Sequence, residues 1–151
     1  MDVLLAFTRP LLDWHALAPE LTLLAFGTLI TIVDIIWDER SKQIMPTLAG
    51  MGLLATLIPI LTLAVDGTER SMFGGAYVVD DFSLVMKALF LISGYVVVLM
   101  SVDYIRDGDY YENEYYTLML TSLLGMLMMS SSRDLISVFI ALELLSIPAY
   151  M

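Results

Sequence analysis

Long apolar runs, separated by short charged stretches, recur through this sequence and limit what it can fold into. They cover about 21–37, 44–65, 82–102, 115–131 and 133–151. A bilayer core about 30 Å thick needs about 20 apolar residues in helical form. A segment crossing it must satisfy its own backbone hydrogen bonds, which makes each run a helix. The strict alternation and turn spacing of a membrane barrel are absent. The chain of 151 residues is 59% hydrophobic and only 16% charged, against about 25% charged in soluble domains. The predicted fold is therefore all-α: a polytopic membrane protein with about five transmembrane helices in a single domain over 1–151.

The segments between the runs carry the boundary signals. Residues 1–18 read as a short interfacial helix, with Trp14 near the headgroups and His15 at the surface. A secretory signal is disfavoured, because Asp2 stands where positive charge is expected. Pro19 and Glu20 open the first span, where proline fits the first turn and an acid suits the helix dipole. Asp34, one turn from that span's end, is either an interfacial acid or a helix contact. Residues 38–43 form a charged loop. Pro46 fits the first turn of the second span, whereas Pro59 should kink or loosen its interior. Gly50 and Gly52 offer a close helix approach. The stretch from Asp66 through Gly74 and Gly75 reads as a loop, and Asp80 and Asp81 make an acid-rich start to the third span. Lys87 lies one to two turns into that span. It either snorkels back to the interface beside Asp80 or Asp81, or is buried and acts on a neighbouring carboxylate. Tyr104, Tyr110, Tyr111, Tyr115 and Tyr116 read as an aromatic belt. Met126, Met128 and Met129 read as adaptable packing. An odd number of spans puts the termini on opposite faces. The basic residues do not orient the chain, since Arg40, Lys42 and Arg106 on one side balance Arg9, Arg70 and Arg133 on the other.

The last run holds the most conspicuous residue. Glu143 lies ten residues past Arg133, which is about 15 Å along a helix axis. With Arg133 at one membrane face, Glu143 sits near the midplane, where an ionisable group is expensive and by default a functional hypothesis. Ser146 and Tyr150 follow it at i+3 and i+7 on one stripe, continued on the other side by Phe139, Ile140 and Ile136. Glu143 is thus either a proton-carrying residue or a protonated, hydrogen-bonded group that fixes helix packing.

Other chemistries find little support. There is no cysteine, which excludes thiolate metal sites, Cys-ligated clusters and disulfides within this chain, and His15 is the single histidine. A net charge of −10 argues against nucleic acid and against a polybasic grip on anionic lipid. No phosphate-binding loop and no Ser-His-Asp set is present. No pattern for a nicotinamide, flavin, haem or quinone is found, so no cofactor is assigned to this chain.

Several stretches together resemble a known family. They are Pro19-Glu20-Leu21, Asp80-Asp81-Phe82-Ser83 with Lys87, Ser101-Val102-Asp103-Tyr104, Glu114-Tyr115-Tyr116 and Leu124-Gly125-Met126. The most specific is Asp134-Leu135, Phe139 and Leu142-Glu143-Leu144-Leu145-Ser146-Ile147-Pro148-Ala149-Tyr150. Their order and spacing resemble the N-terminal part of subunit N, an antiporter-like membrane subunit of NADH:quinone oxidoreductase, respiratory complex I. Leu142, where sister subunits usually carry a tryptophan, favours subunit N among them. The resemblance implies a proton-translocating role coupled to quinone reduction, with Glu143 as the proton-carrying residue and Lys87 as a possible second one. It implies NADH, flavin, iron–sulfur clusters and quinone elsewhere in the complex, other membrane-arm subunits as partners, and a lipid bilayer around the chain. It points to the bacterial cytoplasmic membrane, or alternatively a mitochondrial or other energy-converting inner membrane. It also implies an N-terminus on the positive side. Because the family usually has about fourteen spans, the expectation is a split or truncated subunit, with another chain supplying the later helices and the lysine that partners Glu143. The alternatives are a subunit of a related cation/proton antiporter or membrane hydrogenase, or a structural or assembly module without transport of its own.

Overall fold

The computed structural model describes residues 12–36, 41–107 and 112–151, with side chains at 12–36, 44–105 and 114–151. The described residues form five helices: α1 (Ala18–Ile36), α2 (Ser41–Asp66), α3 (Asp81–Asp107), α4 (Glu112–Ser131) and α5 (Leu135–Tyr150). The expected all-α membrane fold is the one observed. Ala18–Ile36, Ile44–Asp66 and Asp81–Ile105 are each long and apolar enough to cross a membrane. The chain is membrane-integral. At 16 residues, α5 is only about 24 Å long, shorter than the run that encodes it. Most of the expected interfacial helix over 1–18, Trp37 and residues 38–40 of the loop after it, Tyr110 and Tyr111 lie outside the described residues, whereas residues 41–43 of that loop belong to the first turn of α2. Trp14, within them, is exposed.

The helices run alternately up and down, and α4 packs against each of the other four. Its buried Leu120, Leu123, Leu124 and Leu127 form the centre of the core, together with Leu23, Ile30, Leu53 and Leu91 from α1 to α3. Small residues set the closest approaches. A Cβ at Gly52 would lie 2.8 Å from Phe26 of α1, and one at Gly125 would lie 2.6 Å from the backbone nitrogen of Leu145. The backbones of α4 and α5 therefore touch, with the Ser122 hydroxyl donating across the seam to the Leu145 carbonyl at 3.0 Å. Pro59 leaves α2 unbroken as a helical element.

One segment departs from the expected loop. Arg70–Met72 (β1) and Tyr77–Val79 (β2) form an antiparallel hairpin in the register Arg70↔Val79, Ser71↔Val78 and Met72↔Tyr77. A 3₁₀ turn over Phe73–Gly75 closes it, with Gly74 and Gly75 at φ 67° and 93°. Glycine reaches that left-handed region without a steric penalty. Met72, Tyr77 and Val79 turn inward and are buried, an alternation too short to stand out in sequence. The hairpin lies over one end of the bundle. Tyr77 bridges to Ser132, and the Arg133 amide donates to the Ala76 carbonyl at 2.8 Å.

Candidate functional site

Lys87 is the seventh residue of α3, within an otherwise apolar helical stretch, and it is 0% exposed. The snorkelling alternative is overturned, because the hairpin and α1 close over the side chain. The Asp80 beside which it was expected is instead paired with Arg133. The Lys87 ammonium meets the carboxylate of Glu20, itself 6% exposed, with Nζ 2.7 Å from Oε1. The Tyr77 hydroxyl donates to that same oxygen at 2.6 Å and accepts from Lys87 Nζ at 3.1 Å. The Lys87 ammonium also lies 5.3 Å from the centroid of the Tyr77 ring, a favourable contact for a desolvated cation.

Three elements build this cluster. The first turn of α1 supplies Glu20, β2 supplies Tyr77, and α3 supplies Lys87 one turn and a half below its start. Burial first, and then the adjacent Glu20 carboxylate, push the Tyr77 phenol far above its ordinary value of 10.0, which keeps it a proton donor. Ser131, buried at the end of α4, lies beside the phenol. Two buried side-chain atoms near the pair, Glu20 Oε2 and Ser131 Oγ, have no hydrogen-bond partner among the described residues. Thus Glu20 does more than complement the dipole of α1.

Surface ion pairs clasp the hairpin above. Arg70 reaches Asp13 at 2.6 Å and Asp66 at 3.1 Å, and His15 lies 3.6 Å from Asp66. The hydrogen bond from Arg70 holds the Asp13 carboxyl below its ordinary value. At Asp80 partial burial pushes the other way, but hydrogen bonds from Ser83 and the charge of Arg133 outweigh it and hold that carboxyl low as well. Asp80 also caps α3. Its Oδ1 accepts from the Ser83 amide at 2.8 Å, while Ser83 Oγ accepts from the Asp80 amide at 2.9 Å, a reciprocal box at the helix start.

Glu143 occupies a different setting. It is half-buried at the ninth position of α5. The face of α5 that meets α4 carries Ala141, Leu144 and Leu145. Glu143 lies on the opposite side, in a stripe with Ile136 (69% exposed), Phe139 (62%) and Tyr150 (88%). Ser146 shares the stripe, and its hydroxyl bonds to the Glu143 backbone carbonyl at 3.4 Å. The structure does not bring Lys87 and Glu143 into one site, because the lysine is engaged by Glu20. Among the described residues, no cluster of His, Cys, Asp and Glu could hold a metal ion.

Sequence reasoning singled out Lys87 and Glu143 but left Glu20, Tyr77 and Ser131 unassigned to any site. The available signal was the lysine itself. A buried cation needs a counter-charge, and Glu20 lies in the first turn of a helix that starts at the same end of the bundle.

No protein-family model matches the chain. Curated relatives do. NADH-quinone oxidoreductase subunit N of Anoxybacillus flavithermus is 35% identical over 141 residues, 92% of this chain. NAD(P)H-quinone oxidoreductase subunit 2 of Gloeobacter violaceus is 36% identical over 143 residues, 93% of the chain. The chain is similar to the N-terminal part of NADH-quinone oxidoreductase subunit N. In structure, respiratory complex I from Thermus thermophilus with bound aureothin contains a chain that matches at a TM-score of 0.70 and 26% identity, over 87% of this chain. The chain spans about 28% of the length of the A. flavithermus subunit N, and likewise 28% of the matched complex I chain.

Proposed function

We propose that this chain is a membrane-arm component of a proton-translocating NADH:quinone oxidoreductase, with Glu143 as a proton-carrying residue. The observation that carries the reading is the placement of Glu143. It is a carboxylate within an apolar helix, on the face turned away from α4, in a chain 35% identical to a subunit N. A carboxylate on such a face can meet a cation brought by further helices or subunits. A nearby cation favours the charged form, and its departure favours the proton. That alternation moves a proton without any redox group in this chain. NADH, flavin, iron–sulfur clusters and quinone belong to other subunits of the complex in this reading. The partners are other membrane-arm subunits and the helices that make up the rest of a subunit N. The setting is the bacterial cytoplasmic membrane.

Replacing Glu143 with Gln tests the role with little change of shape. Proton pumping per NADH oxidised should fall, while the assembled complex is recovered in normal amount. Normal pumping by the assembled variant, or loss of assembly alone, assigns Glu143 to packing.

A further inference from the structure

The hydrogen bonds at the buried ion pair are distributed unevenly. Lys87 Nζ and the Tyr77 hydroxyl both reach Oε1 of Glu20. Oε2 is buried and has no partner among the described residues. A buried, charged oxygen without a donor carries the full penalty of its lost hydration. A proton on Oε2 removes that penalty and turns the atom into a donor. The buried Ser131 hydroxyl lies beside Tyr77.

The surroundings leave Glu20 as the group to take that proton. Tyr77 faces it from β2 and Lys87 from α3. At this end of the bundle α2 contributes Asp66, which is already paired with Arg70, and α4 contributes the non-titrating Ser131. Asp80, above α3, is held by Arg133. The cluster lies directly beneath the hairpin, between the charged surface network and the apolar interior.

We propose that Glu20 is a second proton-carrying carboxylate of this chain, with Oε2 the atom that takes the proton, Lys87 its positioning cation and Tyr77 the hydroxyl that fixes Oε1. Loading forms one O–H bond at Oε2 and breaks one in a hydronium ion at the hairpin end, which leaves as water. The cluster passes from neutral to a single positive charge, unloading breaks the same bond, and no electrons move. The existence of the site is independent of the proposed function, whereas its use in translocation rests on it.

Infrared difference spectra of the assembled complex in membranes, recorded on acidification over the range in which it stays assembled, test the site. A carboxylic C=O band should grow in the native complex, disappear in Glu20→Gln and persist in Glu143→Gln. Where Glu20→Gln assembles poorly, Glu20→Gln/Lys87→Met removes both charges and serves the same comparison. Absence of any band that depends on Glu20 overturns the proposal and makes the cluster a fixed ion pair. Restored pumping in the double variant has the same meaning, because a fixed pair is replaceable by neutral groups. A Glu20 band that persists while Glu143→Gln pumps normally supports this site and rejects the reading of Glu143.

Discussion

Glu20 and Glu143 are both carboxylates in apolar helices, and the fold treats them in opposite ways. Glu20 has its cation inside the chain, 2.7 Å away and sealed beneath a hairpin. Glu143 lies on a face of α5 that no described element covers. The first is held by the tertiary structure of this chain, and the second lies on the side of α5 turned away from α4. A buried acid can thus be an internal joint or a docking point for charge, and helix position alone does not distinguish them.

Breaking each side of the comparison should give unequal effects on stability. Lys87→Met leaves Glu20 buried without its counter-charge and should destabilise the chain by about 3–5 kcal/mol, read as a lower unfolding temperature in detergent. Glu143→Gln should leave that temperature nearly unchanged. An equal drop for both would erase the distinction. A smaller effect is expected at the seam that orients α5. Gly125→Val places side-chain atoms against the Leu145 backbone and should cost about 1–3 kcal/mol. Protease protection of α5 should fall while that of the hairpin persists, and loss of both would mean that the two regions are not independent.

The helix cap beneath the hairpin gives a still smaller test. Asp80→Ala removes the carboxylate that accepts from the Ser83 amide and pairs with Arg133, and should cost about 1 kcal/mol. The weakest expected effect is with acid. Asp13 and Asp80 are held below their ordinary value of 3.8. Their stabilising share is complete above that value and is lost as pH falls through the lowered values. Hydrogen exchange of the hairpin amides should therefore stay slow at mildly acid pH and accelerate only below the ordinary aspartate range. Acceleration already near neutral pH would show that these pairs do not hold the hairpin.

Much of this was legible in the chain itself. Apolar runs long enough for a bilayer, interrupted by charged turns, permit only helices there, because no water is present to satisfy free backbone groups. Asp80 and Asp81 mark the start of α3 through the helix dipole, whereas α2 begins at Ser41 and holds Pro46 inside it, ahead of the start expected near Ile44. Glu143 was conspicuous because nothing near it in sequence offsets its charge. The hairpin escaped notice because three residues a side carry too little alternation, and its register depends on contacts with Ser132 and Arg133. Only the tertiary structure decided which carboxylate Lys87 would meet. Glu20 and Lys87 are distant in sequence, and alternating helix direction returns both starts to one end of the bundle. There burial makes a counter-charge obligatory, whereas Glu143 lies between Ala141 and Leu145, on the face of α5 opposite the one that Gly125 touches.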